Sequence, residues 1–291
     1  MSQIHPTAVV APGAEIGNDV IIGPYAVVQD NVCLKDGVEV KAQAYIEGHT
    51  TIGEGTVIWP GAVIGTKTQN LKYRGEQTFV EIGKGCQIRE YVTINSSCGE
   101  GSKVHIGDHC LIMAGCHVAH NCSLGNHVIM ANNVLLAGHV TVENCVVFGG
   151  LSAVHQFSRI GEFAMVGGMS GVHRDVPPYT LGAGGGGAYR LGGLNLVGLK
   201  RHGFPLETRR LLSHAFRILF RMGLSCEEAL ERIEEELKPI PEILHWVTFC
   251  RTSKRGLIGM QGTRASSGKR RGGCDVSDAI EAACSVDTPS T

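Results

Sequence analysis

The chain has 291 residues with a formal net charge of −1, and 18% of its residues are charged. That length suffices for one large domain and a smaller one, and the balanced charge gives no sign of a nucleic-acid partner. No apolar run of about 18 residues predicts a membrane span, and the N-terminus lacks the pattern of a signal peptide. The 11 cysteines are scattered without a CxxC pair, which favours reduced thiols in a cytoplasmic protein.

A six-residue repeat dominates the first part of the chain. Every sixth residue from Ile4 to Ile64 is a branched aliphatic, and the same phase returns at Ile82 and from Ile106 to Val172. The residue four positions after each of these is usually small. This period fits neither a helix nor a long alternating strand. It predicts a parallel β-helix in which each hexapeptide forms a short strand and a turn, with three hexapeptides in a triangular coil.

Two segments interrupt the repeat without changing its phase, residues 66–81 and residues 95–105. We expect both to be loops that leave intact coils, and loops on a rigid scaffold often carry function. The first segment contains Lys67, Lys72 and Arg74, which would suit an anionic ligand. A solvated basic loop is the alternative.

The repeat ends at the proline pair of "RDVPPY", so we assign the β-helix to residues 1–178. A glycine-rich connection follows over residues 179–205. Apolar residues at helical spacing then predict a small C-terminal helical domain over residues 206–259. The polar, aperiodic sequence of residues 260–291 predicts a disordered tail.

Histidines recur at turn positions of the repeat, where the scaffold itself does not need them. His120, His139 and His155 are each separated by nearly one coil, so we expect them along one edge. A single such histidine is most often an exposed residue without a functional role, but a column of three indicates a site. Histidine is also the usual general base near neutral pH. Cys116 and Cys122 occupy the inward slot, which favours core packing over zinc ligation.

Several motifs in order resemble one enzyme family. The stretches "HVAHN", "LAGHV", "AVHQF", "DVPPY" and "GLNLVGLKR", with "HPTA" near the start, resemble the acyl-carrier-protein-dependent UDP-N-acetylglucosamine O-acyltransferases of lipid A biosynthesis. The resemblance implies a mostly β fold, a left-handed parallel β-helix with a C-terminal helical domain, in a homotrimer with active sites between neighbouring β-helices. It also implies transfer of an (R)-3-hydroxyacyl chain from acyl carrier protein to the 3-hydroxyl of UDP-N-acetylglucosamine, with no cofactor and no metal.

The same resemblance gives roles to individual residues. His120 matches the general base that takes the proton of the attacking hydroxyl. The backbone N–H of Gly138 matches the donor to the thioester oxyanion, and Gly168 matches the floor of the acyl groove. The other matches bind the sugar nucleotide: Asn70, Lys72, His117, His139, His155, Gln156, Asn195 and Arg201.

Three positions depart from the family pattern. Asn70 and Asn121 stand where an acidic residue is common, and His202 stands where a second arginine is common. Asparagine can orient a neighbour but carries no charge. We therefore expect His120 to be a somewhat weaker base and one diphosphate contact to be weaker.

Three other interpretations are open from the sequence. The γ-type carbonic anhydrases share the hexapeptide fold, and three of the histidines could bind zinc. A related N-acyltransferase carries an extra N-terminal domain, for which a repeat beginning at Ile4 leaves no room. A scaffold without catalytic activity has no need of a histidine column. The acyl chain length, and a 3-amino group in place of the 3-hydroxyl, also stay open.

Overall fold

The computed structural model describes residues 1–260, and they form one compact unit. Very short strands build three sheets that wind around a common core. Sheet A contains Gln3–Ile4, Ile21–Ile22, Glu39–Val40, Val57–Ile58, Gln87–Ile88, Leu111–Ile112, Ile129–Met130, Val147–Phe148, Met165–Val166, Thr180–Ala183 and Arg190–Leu194. Sheet B contains Val9–Val10, Val27–Val28, Tyr45–Ile46, Val63–Thr66, Thr93–Asn95, His117–Val118, Leu135–Leu136, Ala153–Val154, Ser170–Val172 and Gly187–Ala188. Sheet C contains Glu15–Ile16, Cys33–Leu34, His49–Ile52, Phe79–Ile82, Lys103–Ile106, Ser123–Leu124, Thr141–Val142 and Arg159–Ile160.

The pairing register explains the six-residue repeat. Leu124 pairs in parallel with Val142, one coil further along the chain, and the other coils stack in the same way. In almost every two-residue strand the second side chain is buried, as at Leu124, and the first lies on the outer face, as at Ser123. Cys116 and Cys122 are buried in the inward slot, and their thiols contact backbone carbonyls of the next coil. These cysteines therefore pack in the core, as the sequence predicts.

Each coil turns at three corners, which we name AB, BC and CA after the sheets that they join. The turns His120–Asn121, Gly138–His139 and Gln156–Phe157 lie at corner BC on three successive coils. Both interruptions of the repeat leave the β-helix at this same corner. Loop 1 spans residues 67–78 between sheets B and C, and loop 2 spans residues 96–102.

The loops are shorter than the sequence predicts. Phe79–Ile82 pairs regularly with His49–Ile52 on one side and with Lys103–Ile106 on the other. These residues therefore belong to sheet C rather than to the loops. The sequence pattern does not predict the full length of this strand, because its outward residues, Phe79 and Glu81, do not follow the hexapeptide pattern.

Four helices follow the β-helix: α1 (Leu196–Arg201), α2 (Leu206–Arg221), α3 (Cys226–Glu236) and α4 (Pro241–Arg251). They share a second core that includes Tyr179, Leu212, Trp246 and Phe249. Helix α1 falls within the predicted connection, and six residues are too few to show a helical period. No helix within the described residues is long and apolar enough to cross a membrane. The predicted tail lies outside the described residues apart from Met260.

A polar cluster joins helix α4 to the β-helix. His245 Nε2 lies 2.8 Å from Glu143 Oε2, and Glu143 also accepts a hydrogen bond from the backbone N–H of Glu162 at 2.9 Å. Tyr179 donates its hydroxyl to Glu162. The hydrogen bond with Glu143 is the main cause that raises the pKa of His245 above its usual value. The imidazolium of His245 therefore stabilises the contact between helix α4 and the β-helix.

Replacement of His245 should make the stability of the protein less dependent on pH. A raised pKa in the folded state means that the stabilisation is fully present below the unfolded-state pKa of about 6.5 and is lost as the pH rises through the folded-state pKa. His245→Gln retains a neutral donor to Glu143. In denaturant unfolding, the free energy of unfolding of wild type should exceed that of His245→Gln by more at about pH 6 than at about pH 9. A difference that does not change with pH would contradict this assignment.

Candidate active site

The ring of His120 lies between the two loops at corner BC. Its Nε2 is 3.3 Å from Asn70 Nδ2 in loop 1, and its Nδ1 is 2.8 Å from Asn121 Oδ1. The Asn121 amide in turn exchanges two hydrogen bonds with the backbone of Cys98 in loop 2. Asn121 has a φ of 57°, a left-handed conformation that asparagine tolerates better than most residues. Both loops therefore fix the immediate surroundings of one imidazole.

Gly138 lies directly against this imidazole from the next coil. A Cβ atom at Gly138 would be 2.3 Å from Cε1 and 2.4 Å from Nε2 of His120, so only glycine leaves room for the ring as it stands. The neighbouring His139 donates its backbone N–H to the carbonyl of His120 at 3.0 Å. The N–H of Gly138 itself has no acceptor within residues 1–260, which leaves an unpaired backbone donor on the residue that contacts the His120 ring.

His139 completes an aromatic column at corner BC. Its ring meets His120 edge-on, with centroids 5.1 Å apart, and stacks on Phe157 at 4.6 Å. Burial, and then the charge of His120, lower the pKa of His139. His139 is therefore a neutral hydrogen-bonding group at pH 7.

His117 lies on the outer face of sheet B, three residues before His120. Its Nδ1 is 2.7 Å from Thr93 Oγ1 one coil below, and burial lowers its pKa. One coil above Gly138, His155 contacts the carbonyl of Gln156 through Nδ1 at 3.1 Å. The ring of His155 also lies 5.8 Å from that of His173.

Four contacting residues were missed by the sequence reasoning: Thr93, Cys98, Phe157 and His173. The stacking register would have found three of them. Thr93 pairs with His117 across neighbouring coils, and Phe157 and His173 occupy the slots of His139 and His155 one coil further on. Cys98 sits in loop 2, where no periodicity exists.

The remaining predicted site residues lie at other corners of the same chain. Gly168 is an exposed residue at corner AB. Asn195 caps helix α1 by accepting from Gly198 N–H at 3.0 Å, and it donates to the carbonyl of Phe163 at corner CA. Arg201 ends the same helix.

Lys72 is exposed in loop 1, next to Asn70. At helix α1, an open cavity of about 580 Å³ is lined by Leu196, Val197, Lys200, Arg201 and Arg209. A single chain therefore brings His120, His139, Gly138 and Asn70 together. His117 and His155 contact other neighbours on the same side of the β-helix, and Gly168 and the helix α1 residues lie apart. Among residues 1–260, no three His, Cys, Asp or Glu side chains converge as a metal site.

A stack of hexapeptide coils with histidines at one corner is the architecture of a hexapeptide-repeat transferase. The family model described as bacterial transferase hexapeptide (six repeats) matches residues 1–30, 34–66 and 103–138. The model described as UDP N-acetylglucosamine O-acyltransferase, domain 2, matches residues 175–258. Together with the relatives below, these matches show that the chain belongs to the family of acyl-[acyl-carrier-protein]–UDP-N-acetylglucosamine O-acyltransferases.

Similar proteins match along nearly their whole length. Such an O-acyltransferase of Chlamydia caviae is 54% identical over 258 residues, covering 88% of this chain and 92% of the relative. That of Chlamydia muridarum is 55% identical, with coverage of 88% and 91%. The crystal structure of the Bacteroides fragilis UDP-N-acetylglucosamine acyltransferase matches with a TM-score of 0.85 and 37% identity, covering 88% of this chain and all of that one. The predicted family and the predicted left-handed β-helix with a C-terminal helical domain are confirmed.

Gly138→Ala should abolish most of the activity of the site without unfolding the coil. The new methyl group displaces the His120 ring, and a displacement of about 1 Å costs on the order of 100-fold in rate. Gly193→Ala is the matched control because its Cβ meets no atom within 4 Å. Acyl transfer and circular dichroism should be measured on both variants. Wild-type activity in Gly138→Ala would show that the ring position is not critical.

Proposed function

We propose that the protein transfers a long acyl chain, an (R)-3-hydroxyacyl group, from acyl carrier protein to the 3-hydroxyl of UDP-N-acetylglucosamine. The observation that carries this proposal is that Gly138, whose N–H has no acceptor within residues 1–260, lies directly against the Nε2 side of the His120 ring at corner BC. A base and an oxyanion donor side by side are what acyl transfer to an alcohol requires. The named activity of the relatives supports the choice of substrates.

In this proposal His120 and Gly138 carry the chemical step. Nε2 of His120 takes the proton of the sugar 3-hydroxyl as that oxygen attacks the thioester carbonyl carbon. The N–H of Gly138 donates a hydrogen bond to the oxyanion that forms. When the intermediate collapses, the carbon–sulfur bond breaks and the carrier thiolate leaves with the proton returned by His120. An assisting base of this kind contributes about 10²–10⁴-fold.

The surrounding groups bind and orient the acceptor sugar. His117 and His139 are neutral near pH 7 because burial lowers their pKa values, so each offers one donor and one acceptor. His155 and Gln156 extend the site along corner BC. Lys72 in loop 1 and Arg201 on helix α1 supply positive charge for the diphosphate.

We infer that the active unit is a homotrimer, because the outer faces of the three sheets differ. The outward side chains of sheets A and B are largely apolar: Ile21, Val57, Leu111, Ile129, Val147 and Met165 on A, and Val9, Val27, Val63, Leu135 and Ala153 on B. Those of sheet C are largely polar: Glu15, Thr51, Glu81, Ser123, Thr141 and Arg159. A threefold arrangement packs sheet A of one chain on sheet B of the next, with corner AB at the axis.

This packing would assemble the site from two chains. With both AB corners at the axis, corner CA of one chain comes next to corner BC of its neighbour. Helix α1 with Asn195 and Arg201 then faces the His120 of the adjacent chain. The acyl chain would run from His120 across sheet B towards Gly168, a rise of three coils or roughly 14 Å, past the small outward residues Ala153 and Gly171.

A cytoplasmic location is supported by the nine cysteines within residues 1–260, all of which are free thiols.

His120→Ala should lose about 100-fold or more of the transfer activity, because the substitution removes the proposed base for the hydroxyl proton. The assay uses UDP-N-acetylglucosamine as the acceptor and acyl carrier protein charged with a 14-carbon chain as the donor, because a chain of about that length would span the groove. The donor is tested with and without a 3-hydroxyl on the chain. His105→Ala is the control because His105 lies on the outer face of sheet C. Full activity in His120→Ala would refute the assignment of the base. An inactive wild type would refute the acceptor or the donor, and the 3-amino sugar would be tried next.

Leu135→Glu should dissociate the trimer. Leu135 is 47% exposed on the outer face of sheet B, and a buried unpaired carboxylate in the interface is costly. Light scattering should give three times the 31.0 kDa chain mass for wild type and the chain mass for the variant. Thr141→Glu on sheet C should remain trimeric. Dissociation of both variants, or of neither, would contradict the proposed packing.

A further inference from the structure

Two aromatic residues at corner CA occupy the same slot on successive coils. Phe163 and Tyr179 each lie in the turn before a strand of sheet A and have φ values of 55° and 61°. Their backbone N–H groups donate to carbonyls of the preceding coil, at 3.0 Å for Phe163 and 2.7 Å for Tyr179. The two rings stack with centroids 6.1 Å apart and an angle of 17° between their planes. Corner CA therefore carries a stacked aromatic pair near the start of helix α1.

Tyr179 is the more tightly held member of this pair. It is fully buried, and its ring also stacks on Trp246 of helix α4, with centroids 6.3 Å apart and planes at 10°. Its hydroxyl donates a hydrogen bond to Glu162. A buried ring that stacks on two others and is hydrogen-bonded at its edge has little room to move.

The residue that opens helix α1 is tied to the backbone of both aromatic residues. The N–H of Asn195 donates to the carbonyl of Tyr179 at 2.8 Å, and Asn195 Nδ2 donates to the carbonyl of Phe163 at 3.0 Å. The Oδ1 atom of the same side chain caps the helix by accepting from the N–H of Gly198 at 3.0 Å. Three hydrogen bonds thus connect two turns of the β-helix to the start of helix α1.

The residues after helix α1 pack against the ring of Phe163. The rings of His202 and Phe204 both meet it edge-on, with centroids 5.1 Å and 4.9 Å away, an arrangement that aromatic rings favour. Arg209 Nε donates to the carbonyl of Phe204 at 3.1 Å, so the contact extends into helix α2. Both ends of helix α1 are therefore fixed on the same aromatic pair.

Three basic residues lie on the elements that this pair holds. Lys200, Arg201 and Arg209, which we call the basic cluster, line the open cavity at helix α1 together with Leu196 and Val197. None of the three forms an ion pair within the described part of the chain. Unpaired ammonium and guanidinium groups on one cavity suit an anion such as a diphosphate. The place that these groups can reach depends on the position of helix α1.

We propose that Phe163, Tyr179 and His202 are positioning residues, which hold helix α1 so that the basic cluster faces the diphosphate of the acceptor. This inference rests on the proposed function, in which Arg201 supplies charge for that diphosphate. His202 stands where a second arginine is common in the family. In this chain its ring fixes helix α1, and its contribution to binding does not depend on charge.

Binding of UDP-N-acetylglucosamine tests the proposal without acyl transfer. Calorimetry should give a Kd about 10-fold weaker for Phe163→Leu than for wild type, which corresponds to the loss of one hydrogen bond to a charged group. Phe249→Leu is the matched control, because Phe249 is buried in the core of the helices while its ring packs against His245 and Arg159. An unchanged Kd in Phe163→Leu, or an equal loss in both variants, would overturn the proposal.

Variants of His202 separate the ring from its charge. His202 is exposed, so we expect its variants to fold. His202→Ala should weaken binding by about 2- to 10-fold, the value of one aromatic contact, whereas His202→Phe keeps the ring and should bind like wild type. Equal losses in His202→Ala and His202→Phe would show that the ring nitrogens contact the ligand and would overturn the role of this residue.

A double-mutant cycle tests the contact between His202 and Phe163. The double variant with Phe163→Leu and His202→Ala should bind no more weakly than Phe163→Leu alone, because both changes remove one contact. If the two losses multiply, the residues act independently and the proposed contact is refuted.

Steady-state kinetics adds a readout that general destabilisation would not give. In Phe163→Leu the KM for UDP-N-acetylglucosamine should rise about 10-fold while kcat at saturating acceptor stays unchanged, since the loss falls on binding alone. A lower kcat with an unchanged KM would contradict the positioning role.

Hydrogen exchange distinguishes failure of this inference from failure of the proposed function. The amides of residues 196–201 should exchange faster in Phe163→Leu than in wild type and in Phe249→Leu, and this measurement needs no substrate. A wild type that does not bind UDP-N-acetylglucosamine refutes the proposed acceptor, and hydrogen exchange then still decides whether the aromatic pair holds helix α1. A wild type that binds, with unchanged exchange and unchanged Kd in Phe163→Leu, refutes the positioning role alone.

Discussion

Parallel stacking of one coil on the next is the interaction on which every other feature of this protein depends. Leu124 on Val142 is one example of a contact that repeats along three sheets. Because the coils stack in register, residues in the same slot form columns along each corner. His120, Gly138 and Gln156 reach one corner in this way although they are distant in sequence. Burial of the aliphatic column therefore stabilises the fold and positions the candidate site with the same contacts.

The stacked coils alone would leave His120 on an open edge, and the two loops change that environment. Loop 1 brings Asn70 to Nε2, and loop 2 brings the backbone of Cys98 to the amide beside Nδ1. Both loops extend from corner BC, where the column of histidines lies. The rigid coil thus supplies position, while the irregular segments supply the hydrogen bonds that an unaided solenoid edge lacks. Gly168 and helix α1 stand at the other two corners, which is why the proposed site needs a neighbouring chain.

Most of the fold could be predicted because each hexapeptide repeats the same physical choice. The phase of Ile4, Ile64 and Ile106 predicted the strands, and the spacing of His120 and His139 predicted a shared corner, which the structure shows. Features without a period could not be predicted. Helix α1 is too short to show one, and the contact of Asn121 with Cys98 depends on the path of loop 2. The roles of the site residues came from resemblance to a family, because no periodicity reports hydrogen-bond geometry.

Loop 1 has a consequence for how such a protein can change. Phe79 pairs with His49 below and Lys103 above as though no residues had been inserted before it. The coils therefore do not sense the length of the loop, and its closure entropy grows only slowly with added residues. Insertions and deletions in loop 1 would alter what surrounds His120 while the aliphatic column stays intact. The surroundings of His120 therefore depend partly on a segment that the stacked coils do not constrain, so loop 1 can change in evolution while the coils do not.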